Sequence, residues 1–398
     1  MRRRSADGVI SGPPRIPFYN NPRIRGVLYQ LILLAALIWL AYEFVINVRA
    51  NLAAQGFSSG FGFLGNTAGF GVSQSLIAYS ESDSYGRVFV VGLLNTLLVS
   101  AIGIVFATLL GFVIGLARLS PNWLVARLAG GYVEVIRNLP LLFQILFWYL
   151  AVLGTLPLPR LSFSVFGQVF LNNRGVIVPA PLFGEGASYV GGACLLGILA
   201  TIALARWARY RQDQTGKQFP VFVSGIGLII GIPFLVLATL GFPISFETPQ
   251  LRGFNFVGGI RLIPEFIALL IALSTYTAAY IAEVVRAGVQ SVPHGQTEAA
   301  LGLGFKRGLM LRLIVVPQAL RVMVPLLTNQ YLNLTKNSTL GVAIGYPDLF
   351  GLFAGTTLNQ THQAIEVIAI TMAVYLVISL LTSLVMNWYN FRLRLVER

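Results

Sequence analysis

Two charged residues sit in otherwise apolar surroundings: Glu283 in STYTAAYIAEVVR and Lys336 in LLTNQYLNLTKNSTL. A charge inside an apolar run of membrane length is costly and faces a cavity or a partner group. Glu283 precedes Arg286 by three residues, the spacing of an intrahelical ion pair. Lys336, followed by Asn337, Ser338 and Thr339, either snorkels to an interface or lines a polar pathway. Asn95 and Thr96 lie in a second such run, where they either bond neighbouring helices or meet a passing substrate. Covalent chemistry finds no support. Histidine occurs only at His294 and His362 and cysteine only at Cys194, which excludes a multi-histidine metal site and an internal disulfide. There is no HExxH pair or Walker A loop, and Gly216-Lys217 lacks the upstream glycine and the following Ser/Thr. The chain therefore cannot hydrolyse ATP by itself.

A further group of residues falls between two apolar runs, at 289–317. Pro293 suits the first turn of a helix, where its missing N–H has no partner to lose. Glu298, Ala299 and Ala300 extend that helix with a small-residue face, and Gly302 and Gly304 end it, since glycine adopts the left-handed cap cheaply. Lys306, Arg307 and Arg312 hold the next segment on the cytoplasmic side. Taken on these residues alone, the short helix either enters a groove of another protein or lies on the surface as a plain amphipathic helix.

The elements that carry these groups are set by composition. Of the 398 residues, 56% are hydrophobic and 11% charged, and mean hydropathy is +0.75. A soluble domain carries about 25% charged residues, so the chain is an integral membrane protein. At about 20 apolar residues per crossing, eight spans are expected: 26–47, 88–117, 139–156, 187–205, 219–241, 263–285, 317–337 and 365–389. The net charge of +14 does not mark a nucleic-acid partner, because the basic residues come in short bursts between apolar runs. With the N-terminus in the cytoplasm, inner segments hold 20 of the 28 basic residues. Outer segments hold six: Arg49, Arg87, Arg160, Arg174, Arg252 and Arg261. That asymmetry supports two cytoplasmic termini. The Gly- and Phe-rich outer segments 55–71 and 243–262 read as interfacial. Four GxxxG pairs (Gly111/Gly115, Gly227/Gly231, Gly341/Gly345 and Gly351/Gly355) point to close helix packing, and Pro325 to a kink.

The segment 289–317 resembles the EAA signature of permease subunits of bacterial ABC importers. Glu298-Ala299-Ala300, Gly304, Ile314 and Pro317 fall in register, with Val316 in place of the usual Leu and VPHGQ, containing Gly295, ahead of them. The resemblance implies that Gly295, Glu298, Ala299, Ala300 and Gly304 belong to a coupling helix seated in a cleft of an ATPase subunit. Asn95-Thr96-Leu97, Arg118-Leu119-Ser120, Glu134, Arg137, Pro140-Leu141-Leu142, Gln144, Glu283, Arg286 and Lys336-Asn337-Ser338-Thr339-Leu340 are similar to the polar amino-acid branch, the histidine- and glutamine-permease-like group. An added N-terminal span and an insertion resemble the larger, Q-type permease of general L-amino-acid transporters.

The implied architecture is an all-α polytopic membrane protein whose five-helix permease core occupies 88–156 and 263–390. Around it lie a cytoplasmic tail (1–25), a first span with outer segment (26–87), a two-span insertion (157–262) and a second tail (391–398). The implied machine pairs this chain with an M-type permease, two ATPase subunits that use ATP and Mg, and a periplasmic amino-acid-binding protein, in the bacterial inner membrane. No cofactor is expected on this chain. Asn95, Thr96, Glu283, Lys336, Asn337, Ser338 and Thr339 are its candidate path residues. The competing reading is an ion-gradient-driven secondary transporter, whose usual internal repeats and midplane acidic sites have no counterpart in the sequence; a membrane scaffold would leave 289–317 unexplained.

Overall fold

The computed structural model describes residues 22–54, 60–184, 186, 188–217, 219–241 and 244–393. Most of the two expected tails lies outside the described residues. Seven helices are long and apolar enough to cross a bilayer, and a bent pair makes an eighth crossing if counted as one. The polytopic helical fold read from the sequence is thus the observed one.

Helix α1 (Pro22–Ala54) is followed by α2 (Tyr85–Arg118) and α3 (Trp123–Asn138). Next, α4 (Leu141–Leu146) runs on into a π-helical stretch, Phe147–Leu153. The expected span 139–156 begins at a bend: α3 and the 141–153 segment meet at 104°. The cause is Pro140, whose ring disfavours helical geometry in the residue before it; Leu139 is extended, at ψ 130°.

The insertion supplies α5 (Ser188–Thr215) and α6 (Val221–Thr239). α5 continues ten residues past the expected end at 205, because Arg206, Arg209 and Arg211 are good helix formers beyond the apolar run. The two helices pack on each other where Gly197 lets the Leu228 carbonyl approach. The core resumes with α7 (Pro264–Gln290), α8 (His294–Gly302), α9 (Arg307–Met310) and α10 (Val316–Asn337). A 3-10 turn at Ser338–Ile344 and a π-helical stretch at Phe350–Thr357 lead through α11 (Leu358–Thr361) to α12 (Ala364–Leu393).

α7 is the most buried of the candidate spans, and α2 lies along it. A Cβ added at Gly115 would sit 2.7 Å from Val285 Cβ and 2.9 Å from the Ala282 carbonyl oxygen. At Gly111 the neighbours are Ile281 and the Ala278 carbonyl. Of the four GxxxG pairs, this one is a close approach of two spans by both glycines. Gly227 and Gly231 face open space, and Gly345 ends the 3-10 turn at φ +77°.

Two departures from the sequence reading concern segments expected on the outer side. The insertion builds strands: β1 (Phe163–Val165), β2 (Val169–Asn172), β3 (Gly175–Val178), β4 (Ala180–Phe183), β5 (Ile244–Glu247), β6 (Gln250–Arg252), β7 (Asn255–Val257) and β8 (Ile260–Leu262). They form an antiparallel sheet β1-β2-β3-β8 and the pairs β4-β5 and β6-β7. Gly253, Gly258 and Gly259, all at positive φ, turn 243–262 back on itself instead of leaving it along the interface. Likewise Phe63, in the Gly/Phe-rich segment, is buried against Tyr85 and Phe353, with ring centroids 6.3 and 6.1 Å away. That segment packs on a second apolar core shared with Val91, Leu349 and Val367; its first residues, 55–59, lie outside the described ones.

Candidate translocation path and coupling helix

On α7, Tyr276, Thr277 and Tyr280 face Gln330, Asn333 and Asn337 of α10 across a cavity of about 290 Å³. The Tyr276 and Tyr280 hydroxyls are 3.1 Å apart. Tyr280 also lines a second cavity, of about 380 Å³, with Arg118, Glu134, Arg137, Asn138 and Glu283. The Arg137 guanidinium lies over the Tyr280 ring, 4.9 Å from its centroid. Tyr280 stands in the wall of both cavities, and their linings together make a polar track along α7 toward α8. Amides and hydroxyls form its first part, and both signs of charge its second. Such a surface can exchange hydrogen bonds with a small zwitterion while the flanking helices keep lipid away.

Glu283 is an electrostatic anchor of this track. It pairs with Arg286, as the spacing suggested, and also with Arg118 of α2. Arg286 further donates to Gln290. The carboxylate therefore joins the C-terminal end of α2 to that of α7.

The candidate residues of the sequence reading divide. Asn95 and Thr96 line neither cavity; both are fully buried. Asn95 Nδ2 donates to the carbonyls of Gln74 (2.9 Å) and Pro347 (2.8 Å), and Thr96 Oγ1 accepts from the Leu349 amide at 2.9 Å. They pin the segment between α10 and α12. Lys336 and Thr339 border a separate cavity of about 420 Å³, whose other walls include Phe350, Ile368, Met372 and Leu376. Ser338 is buried and donates to the Thr335 carbonyl. Only Asn337 and Glu283 of the seven sit on the polar track. Other residues lining the track, among them Tyr276, Thr277, Tyr280, Gln330 and Asn333, were not among those candidates. Gln330, Asn333 and Asn337 recur at i, i+3 and i+7, a polar stripe on an apolar helix, and that signal was present in the sequence.

The pinned segment holds one more titratable group. Asp348 is buried; its Oδ1 accepts from the Gly351 amide at 2.8 Å, and the Tyr375 hydroxyl lies beside its carboxyl. Burial, only partly offset by the Gly351 and Phe350 amides, pushes its carboxyl up to about 7. A carboxylate fixed between backbone amides at the start of a helical stretch is a cap.

Beyond the C-terminal end of α7, α8 begins after Pro293 and ends in a defined cap. The Gly304 amide donates to Leu301 O at 2.9 Å and the Phe305 amide to Ala300 O at 3.1 Å, the two bonds of a Schellman motif. Gly304 has φ +78°, as the sequence required. Pro293 is the residue before the helix and not its first turn. Ala300 is buried against the body of the protein; Gly295, Glu298 and Ala299 are exposed, as are Leu301 and Leu303, the latter at 77%. A nine-residue helix with two leucines in solvent offers a surface for another protein.

Comparison with known proteins agrees with this geometry. Residues 197–395 match the family described as "Binding-protein-dependent transport system inner membrane component". The chain is 50% identical over 397 residues to a putative amino-acid ABC transporter permease of Escherichia coli (strain K12), covering 100% of this chain and 99% of the relative. It is 50% identical over 378 residues to a general L-amino acid transport system permease of Rhizobium johnstonii, covering 95% and 94%. To a glutamate/glutamine/aspartate/asparagine transport system permease of Rhodobacter capsulatus it is 40% identical over 430 residues, covering 98% and 100%.

Proposed function

The chain belongs to the inner-membrane permease components of binding-protein-dependent ABC importers, and from that premise we propose that it passes L-amino acids along the α7–α10 track. In such importers ATP is hydrolysed by separate ATPase subunits, so an ion-gradient-driven carrier has no support. The observation that carries the proposal is the pair of polar cavities sharing Tyr280. The first offers neutral hydrogen-bonding groups, and the second offers Arg137 to a carboxylate and Glu134 to an ammonium group.

In the proposed cycle, an M-type permease completes the pore and a periplasmic binding protein delivers the amino acid. Mg-ATP binding closes the two ATPases, and α8, seated on one of them through Gly295, Glu298, Ala299, Ala300 and Gly304, carries that closure to the spans. The track is then exposed to one side of the membrane at a time. Both termini lie in the cytoplasm, which the basic-residue asymmetry supports.

The test is uptake by the complete complex in liposomes, with competing amino acids to define the range. Asn333→Leu removes a polar wall of the first cavity and should lower uptake about ten-fold, the loss expected when a hydrogen-bonding group is left without its partner. Lys336→Met, on the separate cavity, should leave uptake within about two-fold of wild type. Wild-type kinetics in Asn333→Leu, with assembly unchanged, would refute the track.

A further inference from the structure

The positive-inside rule strips outer segments of arginine and lysine, and this chain obeys it except in one place. Four of its six outer basic residues, Arg160, Arg174, Arg252 and Arg261, fall on the β structure of the insertion, and all four are exposed. Among the described residues of that platform, Glu247 is the sole carboxylate. Three of the arginines are held in place. Arg160 stacks on Phe254, 4.1 Å from the ring centroid, and donates to Gly253 O at 3.1 Å. Arg174 donates to Asn255 Oδ1, and Arg261 to the Arg174 carbonyl at 3.2 Å. Arg252 has no partner among the described residues.

Beside them stands an aromatic residue that the fold does not need. Phe166, at the tip of the β1–β2 hairpin, is 97% exposed and has φ 52°. A bulky side chain in the left-handed region is a backbone outlier, and strain of this kind collects at functional contacts. Exposed aromatics together with arginine are the composition of protein–protein hot spots. The platform has no Trp, Tyr or Lys at 157–184 or 244–262, so it lacks the usual anchors of a headgroup belt. It is also joined to the path: β3 pairs with β8, and β8 ends at Leu262, two residues before α7 begins at Pro264.

We infer that this β platform is where the periplasmic binding protein docks, with the four arginines and Phe166 meeting an acidic face of that protein. The inference rests on the import reading above. Docking there bears on β8, and through it on the outer end of the helix that lines the track.

The test uses the complete complex in nanodiscs, of zwitterionic lipid alone and with anionic lipid added, and the system's own binding protein loaded with L-glutamine. Two variants avoid the folded interior: Phe166→Gly, which glycine's tolerance of positive φ favours, and Arg252→Glu, at a side chain without a partner. For wild type, affinity should fall as salt is raised. Each variant should weaken binding at least about ten-fold, the scale of a hot-spot loss, in both lipid mixtures. Uptake should then need more binding protein to reach half its maximum, with basal ATPase activity unchanged. Wild-type affinity and salt dependence in both variants would overturn the inference. So would a loss seen only with anionic lipid, which would make the platform a headgroup site. Wild-type uptake in the same preparation separates the two claims. If it is absent the import reading fails, and if it is present with unaffected variants only the docking surface fails.

Discussion

Replacing Gly304 isolates the proposed coupling helix from everything else the permease does. Gly304 holds φ +78°, and a Cβ built there meets nothing within 4 Å. The penalty of a side chain is therefore conformational and not steric within this chain. A left-handed residue costs about 1–2 kcal/mol without glycine, which shifts an equilibrium by about 5- to 30-fold. α8 has nine residues, too few to be stable alone, so its end depends on the two bonds that Gly304 sets up. The series should rank Gly304 above Asn, Asn above Ala and Ala above Val, because Asn tolerates the left-handed region and a β-branched residue is the worst fit. Gly304→Asp adds a charge at the proposed ATPase contact and should fall below Ala. The assay is ATPase retention on the purified complex, then substrate-stimulated hydrolysis and uptake in liposomes. Amino-acid binding to the isolated binding protein serves as the control, and it should not change. Equal retention and uptake across Gly, Ala and Val would refute the argument. An Asn variant as poor as Val would refute the conformational cause and leave a clash with the partner.

The geometry sets three other outcomes. Gly115→Leu forces a side chain against Val285 and the Ala282 carbonyl; overpacking of this kind costs about 1–3 kcal/mol, seen as a lower Tm in detergent, whereas Gly227→Leu, in open space, should melt like wild type. After exchange of the exposed Cys194, an impermeant thiol reagent on spheroplasts should label Ser164→Cys on β1 and spare Gln212→Cys near the end of α5; the reverse would overturn the orientation. Asp348 carries a carboxyl raised to about 7 by burial against about 3.9 unfolded, so the folded state binds the extra proton, and its stability should fall as pH rises between those values. Asp348→Asn keeps an acceptor for Gly351 and should flatten that slope, and an unchanged slope would move the pH dependence to another group.

How much of the fold was legible in the sequence depended on how local each signal was. Spans were legible because hydropathy is summed over a single helix. The Gly304 cap was legible because its backbone angle is dictated by the residue itself. Pro140 also announced the bend at 138–141, where the expected span 139–156 begins. The β platform was hidden because its strands are three or four residues long, too short for an alternating pattern to stand out beside two apolar helices. Asn95 and Thr96 read as polar groups near a pathway, but their partners, Pro347 and Leu349, are some 250 positions away in the chain, and only the tertiary fold brings them together. The track failed for the same reason. The Gln330/Asn333/Asn337 stripe was readable on α10, but nothing in the sequence set Tyr276 and Tyr280 opposite it, and their common cavity exists only once α7 and α10 are packed.

The continuity of α7 explains how such distant parts can act as one device. At its outer end β8 feeds it, and Glu265 accepts from the Tyr149 hydroxyl at 3.0 Å, tying that end to the π-helical stretch. Its middle presents Tyr276, Thr277 and Tyr280 to the track. Glu283 fixes its inner end to α2 through Arg118, and only Ser291, Val292 and Pro293 separate Gln290 from α8. Close packing against Gly111 and Gly115 leaves little room for α2 and α7 to slide independently. In the proposed cycle a force applied at α8 moves α7 and α2 as a pair, and the walls of the track that belong to α10, namely Gln330, Asn333 and Asn337, are the ones against which that pair is displaced. Opening and closing then require no unfolding of any span, only a change in the α7–α10 separation across a cavity that already exists.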